Sequence, residues 1–223
     1  MRIKSALKSV FKSRRIPKAP SAARLAKAPS TKLERAQVES MLNQTYTPGS
    51  LSANVGSYIE DRDLSNNRVK VYHDPNSKHT VVAHRGSVTA QDWLENAMYS
   101  AGFRGGANYK HSREKQKKAQ AKYGTENLTT IGHSKGALHA QDFGQAGDVI
   151  TLNKPVNIGD ALRFKVPKYQ TDYRGSGDIV SALRPIQRGA KYINLKSAKK
   201  SFSTLNPIKR ILDEHAIDTL QRK

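Results

Sequence analysis

Apolar and polar positions change their period along the chain. LERAQVESMLNQTY, residues 33–46, has the period and charge of a helix, and LSANVGSYIEDRDLS, after the break at Pro48-Gly49, predicts a weaker helix or a loop. NRVKVYHD and HTVVAHRG are short apolar runs that predict adjacent strands. AQDWLENAMYSAG and the strongly basic YKHSREKQKKAQAKYG return to helical spacing. LTTIGH predicts a strand, KGALHAQDFGQ a helix ending in glycine, and DVITLNKP a strand. KYQTDYRGSGDIV predicts a strand and a loop, KYINLK a strand, and NPIKRILDEHAIDTLQRK a closing helix. Strands separated by helices predict an α/β fold, a mostly parallel sheet flanked by helices, with no internal repeat.

The first 32 residues belong to a different regime. Ten Lys and Arg residues stand there with no Asp or Glu, almost half of the chain's net charge of +21. MRIKSALKSVFKSRR places Ile3, Leu7, Val10 and Phe11 on one helical face, and the Pro/Ala/Lys-rich stretch after it cannot build a core. Residues 1–32 are therefore expected to be a basic arm, disordered or helical, and residues 33–223 one globular domain. A solubilising tail, a nucleic-acid arm, an anionic-membrane helix and a transit peptide all fit that composition. No apolar run approaches the roughly 20 residues of a membrane span, so no transmembrane segment is expected. An apolar h-region for secretion is also missing, and the absence of cysteine excludes disulfides and thiolate chemistry.

Candidate chemistry centres on TTIGHSKGALHA, residues 129–140. Gly132-His133-Ser134-Lys135-Gly136 is a Gly-x-Ser-x-Gly string between a β-branched run and a run of small residues, the setting of a strand-to-helix nucleophile elbow. Serine attacks only when a base takes its proton and a third group orients the base. In such folds the order is serine, acid, histidine. Of the two histidines after Ser134, His139 lies on the elbow helix pointing away, which leaves His215. Asp178, in the glycine-rich turn GSGDIVS, is the preferred acid, and Asp172 stays open as the alternative. The backbone N–H of Lys135 and the loop of VVAHRGS, with Ser87 at its tip, are the candidate oxyanion donors. No metal or other cofactor is expected: His73, Asp74 and His79 lack a tight ligand spacing and are assigned to the loop or strand surface.

Four segments, VVAHRGSVTAQDWLENA, TTIGHSKGALHA, GSGDIVS and the late His215, together resemble the class 3 (fungal-type) lipases over about residues 68–218. The resemblance implies an α/β-hydrolase fold, a Ser134–Asp178–His215 triad, an oxyanion hole at Ser87 and Lys135, and hydrolysis of acyl (lipid) esters. It also places residues 100–123 where that family carries its lid. Lys135 stands where the family has leucine and Ala137 where it has a second glycine, which makes the pocket wall cationic. The short, basic, cysteine-free chain resembles virus-encoded members, so an intracellular or virion-associated protein is expected. The competing expectation is a lipase-like scaffold without turnover that binds nucleic acid or an anionic membrane through its basic arm.

Overall fold

Two short apolar strands, joined by a turn at residues 74–79, pair antiparallel within a mixed sheet. The computed structural model describes residues 33–47, 54–88, 106–144, 147–155, 169–178, 190–197 and 215–221. Among these, the strands are β1 (Ile59–Glu60), β2 (Val69–His73), β3 (Thr80–His84), β4 (Leu128–His133), β5 (Asp148–Leu152), β6 (Gln170–Gly175) and β7 (Lys191–Leu195). The helices are α1 (Arg35–Gln44), α2 (Ala107–Tyr123), α3 (Lys135–Phe143) and a 3-10 helix, Ile217–Gln221. The strands lie in the sheet in chain order. β2 runs antiparallel to β1 and β3, and β3 through β7 are parallel.

Sequential parallel order makes every right-handed crossover step the same way, so the crossover helices share one face. α2 joins β3 to β4, α3 joins β4 to β5, and the two pack together. The other face is covered by α1 and the 3-10 helix, which pack on each other. Alternation sorts the strand residues. Val81, Ala83 and Ile131 enter the core beneath α1 with Val38, Met41, Leu42, Leu152 and Leu220, while Val82 joins Val69, Val71, Leu128 and Ala119 of α2. Burial of both faces explains why the central strands are continuous apolar runs. The result is the expected α/β arrangement, a mostly parallel sheet flanked by helices.

Three expectations change. Residues 54–60, read as a weak helix or loop, form a turn closed by the Val55–Tyr58 bridge and then strand β1; Gly56, at φ +62°, supplies the turn. The part of the supposed lid at 107–123 is a crossover helix fixed to the sheet. Its Gln116 accepts from His84 Nε2 at 2.9 Å and donates to Thr130 Oγ1 at 3.0 Å, so it cannot lift without breaking buried bonds. The described end of the closing helix, 217–221, is 3-10 rather than α. The basic arm, the AQDWLENAMYSAG helix and the start of the closing helix lie outside the described residues.

Candidate active site

β4 ends in Gly132-His133 and turns sharply at Ser134 into α3. Ser134 holds φ 54° and ψ −128°, a backbone state that costs a non-glycine residue about 1–3 kcal/mol and persists only where its surroundings enforce it. They do so here: Ser134 N–H donates to the Leu152 carbonyl at 3.0 Å, and its own carbonyl accepts from Ala137 N–H at 2.9 Å. The flanking glycines are steric necessities. A Cβ on Gly132 would overlap the Gly136 carbonyl, and one on Gly136 would overlap the His84 carbonyl of β3. The α3 backbone therefore lies directly on the strands, with Ser134 half-buried at the sheet's carboxyl edge, where open α/β sheets bind ligands.

Asp178 and His215, 37 residues apart, meet at the same edge. His215 Nδ1 lies 3.0 Å from Asp178 Oδ1, with the carboxylate side chain fully buried and the imidazole 15 % exposed. An ionised carboxylate only accepts, so the Nδ1 position carries the proton and Nε2 keeps the basic lone pair. Asp172 is engaged elsewhere. Its carboxylate accepts from Thr151 Oγ1 and Gln170 Nε2, both at 2.6 Å, and faces Lys154 at 3.4 Å. Gln141 of α3 closes that buried network by accepting from Lys154 Nζ at 2.6 Å. Among the described residues no hydrogen bond joins Ser134 Oγ to His215, and His215 reaches the elbow through its main chain.

That connection runs through His133, the residue between Gly132 and Ser134. Its Nε2 lies 2.7 Å from the His215 carbonyl and its Nδ1 2.7 Å from Tyr46 Oη, while Gly86 N–H reaches the same Tyr46 oxygen at 2.8 Å. A carbonyl can only accept, so Nε2 bears the proton, Nδ1 accepts from the Tyr46 hydroxyl, and the Tyr46 oxygen accepts from Gly86. Each proton direction follows from the one before. Burial, and then the charge of nearby His215, push His133 down to about 3, so the ring is neutral and the chain of bonds stays in this one arrangement. Asn153 adds a second tie: its Nδ2 donates to the His215 carbonyl at 3.0 Å, and its Oδ1 accepts Gly175 N–H at 2.9 Å, just before the Asp178 turn.

Ser87 lies three residues beyond β3, half-buried, and Gly86 before it packs against the elbow. A Cβ at Gly86 would come within 2.9 Å of both Ser134 Cβ and the His133 carbonyl, besides striking Tyr46 Oη. Lys135 opens α3 and is buried. His139 packs beneath α2 against Tyr109 and Phe143, away from the carboxyl edge. His79, assigned to the surface from sequence, is buried between Tyr58 Oη at 2.8 Å and Thr129 Oγ1 at 2.9 Å; its neighbours come from β-strand pairing that local spacing does not register. His73 bonds Thr80 Oγ1 at 3.0 Å and stacks on Tyr123. Among the described residues no cluster of three or more potential metal ligands forms, and no helix is long and apolar enough to cross a membrane.

Tyr46, His133 and Asn153 were not singled out from sequence. Two had weak local signals. His133 lies inside the elbow string, and Asn153 sits at φ +49°, a conformation asparagine tolerates better than most residues. Tyr46 had none, since it meets His133 across 87 residues.

No family model matches the chain, and no curated protein matches it. Solved structures do. Lip2 lipase from Yarrowia lipolytica is 16 % identical at a TM-score of 0.42, covering 74 % of this chain and 78 % of its own. A triacylglycerol lipase from Penicillium expansum is 16 % identical at 0.39, covering 73 % and 78 %. The Rhizomucor miehei lipase in complex with its propeptide is 12 % identical at 0.40, covering 72 % and 67 %.

Proposed function

We propose that the domain at 33–223 is a lipase-like serine hydrolase that cleaves acyl esters, with Ser134 as nucleophile, His215 as base and Asp178 as the group that orients it. The observation that carries this reading is the strained Ser134 backbone at a turn whose two glycines are sterically required. A non-glycine residue in that backbone state is costly, and a nucleophile gains from it an Oγ presented at a helix N-terminus. The Asp178–His215 pair at the same edge supplies the base that the chemistry requires.

In the mechanism, His215 Nε2 accepts the Ser134 proton as Oγ forms a bond to the ester carbonyl carbon and the carbonyl π pair moves onto oxygen. The N–H groups at Ser87 and Lys135 are assigned to that oxyanion, where a single donor contributes about 3–4 kcal/mol in comparable sites. Collapse re-forms the carbonyl and breaks the C–O bond to the alcohol, which leaves with the proton from His215. Water, deprotonated by the same imidazole, then adds to the acyl-enzyme and releases the acid and Ser134. Asp178 keeps the Nδ1–H tautomer and stabilises the imidazolium without itself taking the proton.

The test is hydrolysis of p-nitrophenyl butyrate and p-nitrophenyl palmitate by the purified chain beside Ser134→Ala. Expected is turnover that disappears with Ser134. A folded wild-type chain without turnover on either ester, with detergent or anionic lipid present, would refute it. The net charge of +21 favours a second reading, a scaffold that binds polyanions without turnover.

A further inference from the structure

Helix α2 carries charge at the expense of its own stability. Its inward side buries only Ser112, Gln116 and Ala119, so little apolar area holds it to the sheet. Its first turn has no acid, and the helix bears six Lys and Arg residues against one Glu. Some of that charge is compensated: Lys118 pairs with Glu114 and Lys122 with Asp61, each at 2.7 Å, and Lys115 Nζ donates to the Asp63 carbonyl at 3.2 Å. Lys110, Arg113 and Lys117 are different. They are exposed at i, i+3 and i+7 on one stripe, and no carboxylate pairs with them among the described residues. Like charges at that spacing repel by about 0.2–0.5 kcal/mol per pair. A stripe that weakens its own helix is explained by what it holds.

The geometry selects the partner. The helical tyrosines are turned inward, Tyr109 onto His139 and Phe143 and Tyr123 onto His73, so the stripe offers no ring on which a base could stack. None of the described residues that expose large apolar surface, Ile59, Val88, Tyr169 and Tyr192, lies on α2, so nothing there inserts into a bilayer. Direction decides further. Because α2 joins the parallel strands β3 and β4, it runs back from the carboxyl edge, and the stripe stands at right angles to the edge that bears Ser134. A membrane lying along the stripe would meet the flank of the sheet with the elbow turned aside. A rod-shaped polyanion can lie there and leave the elbow open. From Lys110 to Lys117 is about 10 Å along the helix, roughly three phosphates of one strand at about 3.4 Å each. We propose that Lys110, Arg113 and Lys117 bind the phosphate backbone of duplex nucleic acid, independently of whether Ser134 is catalytic.

The experiment measures full-chain binding to a 20-bp fluorescent DNA duplex by anisotropy between about 50 and 200 mM salt. K110Q/R113Q/K117Q is compared with K78Q/K191Q/K196Q, which removes the same charge from exposed positions elsewhere. Glutamine keeps helix propensity close to that of lysine and arginine, so circular dichroism should be unchanged. Binding by the basic arm is common to both variants. The stripe variant should lower the slope of log K against log salt by about 2–3, near 0.9 per lost phosphate contact, and the control by less than about 1. Equal changes in the two variants would overturn the proposal by reducing the effect to net charge. Loss of binding to phosphatidylserine vesicles with duplex binding retained would overturn it in favour of a membrane.

Discussion

Replacing Tyr46 by phenylalanine removes one oxygen and, with it, two of the bonds that join the Gly86 loop to the elbow. The lost atom accepts Gly86 N–H at 2.8 Å and donates to His133 Nδ1 at 2.7 Å. Gly86 is buried and His133 is 6 % exposed, so neither group recovers its partner from bulk water. An orphaned buried donor or acceptor costs about 1–3 kcal/mol. The pair should therefore cost roughly 4 kcal/mol, a large share of the 5–15 kcal/mol typical of a domain. At about 2–4 °C per kcal/mol for a chain of this size, the melting temperature should fall by about 8–16 °C. Calorimetry of Tyr46→Phe measures this directly. Turnover should fall with little change in KM, since the Gly86 loop is assigned to the oxyanion. Long-range 1H–15N spectra of the wild type should show His133 protonated at Nε2. A melting temperature within about 2 °C of wild type, or an Nδ1–H tautomer, would refute the chain of bonds.

Two further outcomes follow from the same neighbourhood. Burial holds His133 down at about 3 and, with the hydrogen bond that His84 donates to Gln116 opposing it, His84 at about 4, whereas in the unfolded chain both take protons near 6.5. Below that value the unfolded state binds more protons, so stability is full above about pH 7 and falls as pH drops, by roughly 1.4 kcal/mol per pH unit for each ring until its folded value is reached. Thermal melts at half-unit intervals from about pH 8 to 4 check this; a flat profile down to pH 4.5 would contradict it. Asp178→Asn should lower kcat on p-nitrophenyl butyrate by on the order of 10^4 by favouring the wrong tautomer. Asp172→Asn should change kcat less than about tenfold while lowering the melting temperature, and the reverse ranking would exchange their roles.

Some of this was readable from the sequence because it is local. HTVVAHRG and LTTIGH carry strand period and β-branched residues, and the glycines around Ser134 mark a turn by their spacing. Asp178 opposite His215 could be anticipated from chain order and the glycines before it. The bridge at Val55–Tyr58 could not, since a single bridge across a four-residue turn forms when α1 and β2 already cover both residues. Basic α2 announced a helix, but its packing on the sheet depends on Gln116 finding His84 and Thr130, which no helical period encodes. Tyr46 illustrates the limit most clearly. A tyrosine just past a helix end has many possible partners, and only the closed fold selects His133.

The placing of α1 and the 3-10 helix on a single face has a consequence for the order of assembly during synthesis. Residues 33–175 can lay down β1 to β6 and both crossover helices as they emerge, because each strand docks beside one already made. The core beneath α1 is completed when 217–221 arrive and Leu220 enters it. His215 comes with them. A nascent chain on the ribosome therefore carries Ser134 on its turn before His133 has the His215 carbonyl to bond, and hydrolysis, if Ser134 performs it with His215 as the base, begins only after residues 215–221 have left the exit tunnel.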